Sequence, residues 1–371
     1  MCHRSEDRCA PLDGLRTLAI LLVIAGHCAT QLDTGSTSPE AQMLMHFPLI
    51  RFGWSGVDLF FVLSGFLIGS QLWKEFRETE KIRILPFLWR RALRIWPLYY
   101  LFLVLALLVT SSGEDVQRLW PDFFFLTNYF ESSVFPGSWS LSIEEQFYLL
   151  APLFVFWLGR LGLRTRWTIA LSLFCLAPLM RFLTLRFQLS HFQFSDLLLV
   201  TDFLQKPLQT HYDSLLVGIT LAWIFIDHPH RIQKISPWLI LFGVNSLAIV
   251  LGFSNPPLLG YSGFALLYGG IVWWSVSQKS GALIQFLSAK PFYFISRLSY
   301  GMYLNHFFLL LILSSLRDGL LKSFGFLLAY FFYLFLVVGI SVAFSLFTFL
   351  TVEIPCFFSF RGRFSKSTVR S

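Results

Sequence analysis

Leu15-Arg16-Thr17-Leu18-Ala19-Ile20-Leu21-Leu22-Val23-Ile24-Ala25-Gly26-His27 reads as the heart of a first membrane span, yet it contains an arginine and a histidine. The two are eleven residues apart. On an α-helix that spacing returns both side chains to within about 20° of one face, roughly 16 Å apart along the axis. Ionisable groups at membrane depth are costly and are functional suspects by default. Here a cation lies near one surface, and an acid-base group lies about three turns deeper. That geometry suits a bound molecule with an anionic head and a reactive far end.

The composition around this stretch agrees with a membrane setting. Of 371 residues, 55% are hydrophobic and 13% charged, with a mean hydropathy of +0.63. A soluble domain carries about twice that charged fraction. Aromatic residues reach 18%, as expected of lipid-facing helices with interfacial belts. The class is therefore an all-α integral membrane protein. A net charge of +8 could also fit a nucleic-acid binder, but the basic residues fall in loops, so no nucleic-acid partner is expected. Cys2, Cys9, Cys28, Cys175 and Cys356 form no CxxC pair, and isolated thiols without a metal site are expected. The first span is not a cleaved leader, because Arg16 interrupts it and no small-x-small site follows.

Apolar runs long enough to cross a bilayer are placed at 12–30, 48–72, 95–111, 139–158, 167–184, 211–227, 237–253, 259–277, 294–313 and 323–351. The expectation is about ten transmembrane helices. With the amino terminus in the cytosol, 21 of the 29 Lys and Arg fall on the inner side. Five (Arg118, Arg186, Lys206, Arg317 and Lys322) fall outside, and Arg51, Arg181 and Arg297 lie within spans. The positive-inside rule then puts both termini in the cytosol. Residues 12–355 form one transmembrane domain, and 356–371 form a short basic cytosolic tail.

With sidedness set, the polar residues inside the membrane separate into two layers. The inner layer is cationic: Arg16, and Arg90-Arg91-Ala92-Leu93-Arg94. Arg91 and Arg94 are at i, i+3, so their guanidinium groups lie side by side and can clamp a phosphate. Ordinary positive-inside anchoring is the plainer reading. The outer layer holds His27, Asp58, the start of the fourth span with Glu144 and Glu145, and Ser299, Tyr303 and His306 on one face of the ninth. Each has a plainer reading too. His306 can be a packing residue, Asp58 can neutralise Arg51, and Glu144 and Glu145, about 100° apart, cannot both face one site. Four helices bringing such groups to a similar depth nonetheless point to an enclosed polar pocket.

These stretches resemble the acyltransferase 3 family of bacterial membrane proteins, which includes O-antigen and exopolysaccharide O-acetyltransferases. The resemblance runs from Leu12 to Pro355. It rests on Arg16-x10-His27, on Gly56-Val57-Asp58-Leu59-Phe60-Phe61-Val62-Leu63-Ser64-Gly65-Phe66, on Arg91-x-x-Arg94 and on Trp139-Ser140-Leu141-Ser142-Ile143-Glu144-Glu145-Gln146-Phe147-Tyr148. Ser299-Tyr300-x-x-Tyr303-Leu304-x-His306 and Val352-Glu353-Ile354-Pro355 complete the order. It implies ten core helices and transfer of an acyl group from cytosolic acyl-CoA to a hydroxyl of a glycan or related acceptor. It also implies that His27 is the essential histidine and that Arg16, Arg91 and Arg94 bind the donor. Thr210-His211-Tyr212-Asp213-Ser214 departs from the family, in which an arginine usually precedes that aspartate. Some relatives carry a further soluble hydrolase-like domain; this chain is expected to lack one, and to complete the transfer itself or pass the group on.

The resemblance and the residues combine into one expectation. Phosphates held by Arg16, Arg91 and Arg94 at the inner face send a thioester outward along a pantetheine arm about as long as the Arg16–His27 span. His27, whose imidazole titrates near neutral pH, removes the acceptor's proton. Asp58, Glu144 or Glu145 holds the other ring nitrogen, while Tyr303 and serine hydroxyls steady the oxyanion. His306 joins this catalytic set. A covalent acyl-enzyme on His27 or a serine is a second route. No permanently bound cofactor is expected; acyl-CoA, in the first instance acetyl-CoA, is the donor substrate. The acceptor is a glycan, lipid-linked sugar or other hydroxyl compound, and the setting is the cytoplasmic (inner) membrane of the cell. The rival reading is a transporter or channel using the same polar residues as a pathway, but the matched broken spans of two repeats are missing from the sequence.

Overall fold

The computed structural model describes residues 9–33, 38–110, 119–130, 137–191, 202–228, 237–245, 257–278 and 280–356. Regular structure among these residues is helical. The principal helices are α1 (Ala10–Leu32), α2 (Gly56–Thr79), α3 (Ile84–Thr110), α4 (Ser138–Gly159), α5 (Leu163–His191), α6 (Asp213–Asp227), α7 (Pro257–Ser277), α8 (Lys290–Ile312) and α9 (Ser314–Thr348). Pro11 in the first turn of α1 fits a position whose amide has no intrahelical partner.

Six helical segments among the described residues are long and apolar enough to cross a membrane: α1, α2 with its preceding turn, α3, α4, α5 and α9 with its continuation to Cys356. Ten were expected. Of the other four expected spans, α6 has 15 residues, while α7 and α8 are long but fall outside that set. In α8 the reason is visible in Ser296, Ser299, Asn305 and His306, all turned inward and buried. The expected span 237–253 is helical over 237–245, and the rest of it lies outside the described residues, as do residues 1–8 and 357–371.

Several expected boundaries move, and two of them bear on the site. The span placed at 48–72 begins with a short helix, Pro48–Arg51, and a 3-10 turn, Gly53–Ser55, before α2 runs on to Thr79. The span placed at 95–111 starts at Ile84, so the arginine cluster rides on the same helix as the apolar run after it. Helix α9 bends at Gly325, whose φ of 72° is the left-handed region open to glycine. Cys28, Cys175 and Cys356 are free thiols. Cys9 is instead disulfide-bonded, which corrects the expectation of isolated thiols throughout.

Small residues decide which helices touch. Helices α2 and α6 run parallel, with Gly65 and Gly69 facing Gly218 and Ala222. A Cβ on Gly65 would lie 2.3 Å from the Leu215 carbonyl oxygen, and one on Gly218 would lie 2.3 Å from that of Val62. Backbones this close maximise dispersion contact where lipid supplies no hydrophobic drive. Helix α1 meets the 3-10 turn and the start of α2 antiparallel, Gly26 against Gly53 and Ala19 against Gly56. Helices α1 and α8 run parallel: Thr17 Oγ1 donates to the Phe292 carbonyl at 2.7 Å, and ten residues further along α1 and fourteen further along α8, His27 meets His306. The two helices therefore stay in contact over most of their length.

Candidate functional site

Helices α1, α2, α3, α4 and α8 enclose a cavity of about 250 Å³. Four arginines line it: Arg16, Arg91, Arg94 and Arg297. Arg94, Arg297 and Gln71 are exposed, whereas Ser64, Ser140, Ser299 and Tyr303 are buried, so the cationic part forms the mouth and the hydroxyls lie deeper. Arg91 and Arg94 both line the cavity while Arg90 does not, as their i, i+3 spacing requires. The Arg91 guanidinium donates to Gln71 Oε1 at 2.5 Å and lies 5.6 Å and 5.9 Å from the ring centroids of Phe87 and Tyr148. Arg297, on the neighbouring α8, lies over Phe349. Beyond α9 a π-helical segment, Phe349–Glu353, turns Glu353 into the same cavity. Such segments often mark functional positions.

The two adjacent glutamates separate, as their angular spacing on the helix demands. Glu144 lines the cavity and accepts a hydrogen bond from Ser64. Glu145 faces away and accepts from Trp96 Nε1 at 3.3 Å. Glu144 was expected in the outer layer beside His27. It instead lines the same cavity as Arg16 and Arg91, where Ser64 on α2 donates to it.

His27 is half-buried and is not part of the cavity wall. Its Nδ1 lies 3.0 Å from His306 Nε2, and the two ring planes are 5° from parallel with centroids 5.2 Å apart, so the rings meet edge to edge through these nitrogens. His306 in turn lies 5.5 Å, ring to ring, from Tyr303. The Tyr303 hydroxyl is 2.5 Å from Ser140 Oγ and donates to the Gly137 carbonyl at 3.2 Å. Tyr303 and Ser140 do line the cavity. A line of contacts thus leads from the cavity through Ser140 and Tyr303, across the Tyr303–His306 ring contact, to the His306–His27 hydrogen bond. The shared face of Ser299, Tyr303 and His306 is real: the first two line the cavity and the third lies one turn beyond.

No carboxylate among the described residues hydrogen-bonds His27, which corrects the expected orienting group. Asp58 does hold an imidazole, but it is that of His211, whose Nε2 is 2.9 Å from Asp58 Oδ1. Ser214 Oγ donates to the same oxygen at 2.8 Å. Nor does Asp58 neutralise Arg51, whose guanidinium lies against Phe52. Beside this pair, Arg181 of α5 forms a buried ion pair with Asp213, and Ser262 bridges both partners. The Tyr261 ring joins the two pairs, 4.4 Å from the His211 ring and 5.4 Å from the Arg181 guanidinium. The arginine that pairs with Asp213 comes from α5 rather than from the residue before it in sequence, which is Tyr212.

Sequence reasoning passed over Arg297, Gln71 and Glu353 at the cavity, and His211 and Arg181 in the buried cluster. Arg181 and Arg297 did carry a signal, since both were left inside spans, where an arginine demands a partner. Gln71 carried none.

Comparison with known proteins follows the same lines. The chain is 28% identical over 335 residues to the peptidoglycan O-acetyltransferase OatA of Listeria monocytogenes, covering 80% of this chain and 48% of that protein. It is 28% identical over 333 residues to the O-acetyltransferase OatA of Staphylococcus aureus, covering 82% of this chain and 51% of the relative. A putative O-acetyltransferase of Staphylococcus aureus strain COL matches at 28% over 331 residues, 80% of this chain and 50% of its own length. The chain therefore spans about half the length of the curated relatives it matches. No solved structure is a significant match. The family model described as an acyltransferase domain matches residues 10–346, nearly the whole chain, and the protein belongs to the acyltransferase 3 family.

Proposed function

We propose that this protein is a membrane O-acyltransferase that moves an acyl group, acetyl in the first instance, from cytosolic acyl-CoA to a hydroxyl of a glycan at the outer side of the cytoplasmic membrane. The observation that carries the reading is the arginine-lined cavity joined by Ser140, Tyr303 and His306 to His27. The relatives' names, one of which specifies peptidoglycan, support a glycan acceptor. On this reading the chain crosses the membrane ten times with both termini in the cytosol.

The mouth suits a phosphorylated donor. Arg16, Arg91, Arg94 and Arg297 hold its phosphates, and the thioester arm extends toward Tyr303. A cavity of about 250 Å³ is smaller than the roughly 300–1,000 Å³ of pockets that enclose drug-sized ligands, so the nucleotide stays outside it. His27 takes the proton from the acceptor hydroxyl as that oxygen attacks the thioester carbonyl. The carbon–sulfur bond then breaks, and the departing thiolate receives the proton from the imidazolium. The hydroxyls of Tyr303 and Ser140 serve as donors to the tetrahedral oxyanion. Glu144, set among the arginines, keeps their guanidinium groups oriented, and Glu145 and Asp58 belong to the scaffold.

Arg91→Gln or Arg94→Gln should raise KM for acyl-CoA about tenfold or more with little change in kcat, because a held phosphate contributes to ground-state binding. Titration calorimetry of the purified variant checks this, and wild-type affinity for acyl-CoA refutes the assignment. The overall reading is tested in sealed proteoliposomes of known orientation. Acyl-CoA should be consumed only from the side bearing the termini, and acylated acceptor should appear on the opposite side. Product formed only when both substrates share the cytosolic side would overturn the vectorial part of the proposal.

A further inference from the structure

An imidazole that serves as a base must present an unprotonated nitrogen to its substrate, and a neutral ring has only one. The hydrogen bonds around His27 and His306 determine which nitrogen that is. His306 is fully buried, and its Nδ1 lies 3.2 Å from the Met302 carbonyl oxygen. A carbonyl oxygen only accepts, so this nitrogen carries the hydrogen. No carboxylate among the described residues hydrogen-bonds His306, and an unpaired buried charge is heavily penalised, so the ring is neutral and its lone pair is on Nε2. That Nε2 faces His27 Nδ1 at 3.0 Å. One hydrogen must lie between them, and only His27 can supply it. His27 is therefore protonated on Nδ1, with the lone pair on Nε2, the nitrogen turned away from His306.

We infer that His306 is a positioning residue whose neutral ring, anchored on the Met302 carbonyl, locks His27 in the tautomer that leaves Nε2 as the base. The inference rests on His27 acting as the base. The parallel packing of α1 and α8 brings the nitrogen edges of the two rings together in nearly parallel planes, so the lock is built from helix register. It takes the place that a carboxylate holds in other base–orienter pairs. A neutral acceptor fixes the tautomer and ring plane but adds no charge to stabilise the imidazolium. In this tautomer the neutral ring presents the Nε2 lone pair to accept a proton.

The experiment compares His306→Gln with His306→Leu in the full-length protein reconstituted in lipid. Gln retains one acceptor for His27 Nδ1–H and one donor for the Met302 carbonyl, whereas Leu has neither. The Leu variant should lose about 100-fold in kcat, the lower end of general-base effects, with KM for acyl-CoA within about twofold. The Gln variant should recover to within about tenfold of wild type. In 15N-histidine-labelled protein the His27 resonances should report a protonated Nδ1 in the wild type and in the Gln variant, and a mixture of tautomers in the Leu variant. His27→Ala combined with His306→Leu should be no slower than His27→Ala alone. A wild-type His27 protonated on Nε2 overturns the inference, and so does a Leu variant with wild-type kcat. If the Leu variant does not fold, the wild-type and Gln spectra still decide. An active His27→Ala variant refutes the base assignment instead, and so separates that failure from this one.

Discussion

His27→Ala is expected to lower acyl transfer by about 10²–10⁴-fold, the range for removing a general base, while the protein still inserts and purifies normally. The structure favours a clean result. His27 is half-buried, its side chain forms one hydrogen bond, to His306, and the neighbouring Phe307 ring at 4.7 Å can relax into the space left. The α1–α2 contact depends on Gly26 and Gly53 backbones, which the substitution leaves alone. KM for acyl-CoA should hardly move, because on the proposed reading the phosphates are held by the arginines at the far end of the site. Turnover of the purified variant with acyl-CoA and a soluble glycan acceptor is the measurement, and a near-normal rate removes His27 from the mechanism.

The second large effect is on stability. Asp213→Ala should destabilise the fold by about 3–5 kcal/mol, since it strands a charge in a site closed to solvent. Both side chains of the Arg181–Asp213 pair are 0% exposed. Without the carboxylate, the guanidinium keeps only Ser262, at 2.9 Å, its own helix carbonyl at Ala177 and the face of Tyr261. Replacing both partners at once, Arg181→Met with Asp213→Leu, removes the charge as well as its partner and should return most of that stability. Thermal unfolding in detergent, followed by the recovery of monodisperse protein on size exclusion, compares the three proteins. A single variant as stable as wild type shows that the pair contributes nothing.

What could be read from the sequence, and what could not, divides at the level of helix partners. Apolar runs and the 3.6-residue period gave α1, α4 and the face shared by Arg91 and Arg94, because depth and azimuth are properties of one helix. The same arithmetic separated Glu144 from Glu145. Which neighbour each polar group meets is a property of two helices, often far apart in sequence. His27 finds His306 across 279 residues, and Asp58 finds His211 across 153. Charge complementarity alone suggested a carboxylate for His27. The structure spends those carboxylates elsewhere, on His211, Ser64 and Trp96, because glycine contacts set α2 against α6 and bring Asp58 to the His211 side. Span ends were legible only where polarity changes sharply; the amphipathic start of α3 at Ile84 hid behind its arginines.

The parallel alignment of α1 and α8 makes the site a ruler. Arg16 and Arg297 mark one end of the same two helices on which His27 and His306 mark the other. The interval between them is fixed by backbone rise, about 1.5 Å per residue, and not by the reach of any flexible side chain. On the proposed reading, a donor is measured from its phosphates to its carbonyl. A thioester whose arm is a few ångströms shorter binds with its carbonyl short of the base. A thioester with no phosphates has nothing to seat against the zero mark. Selectivity for the carrier thus comes from the register of a helix pair, and the acyl group itself is left free to vary.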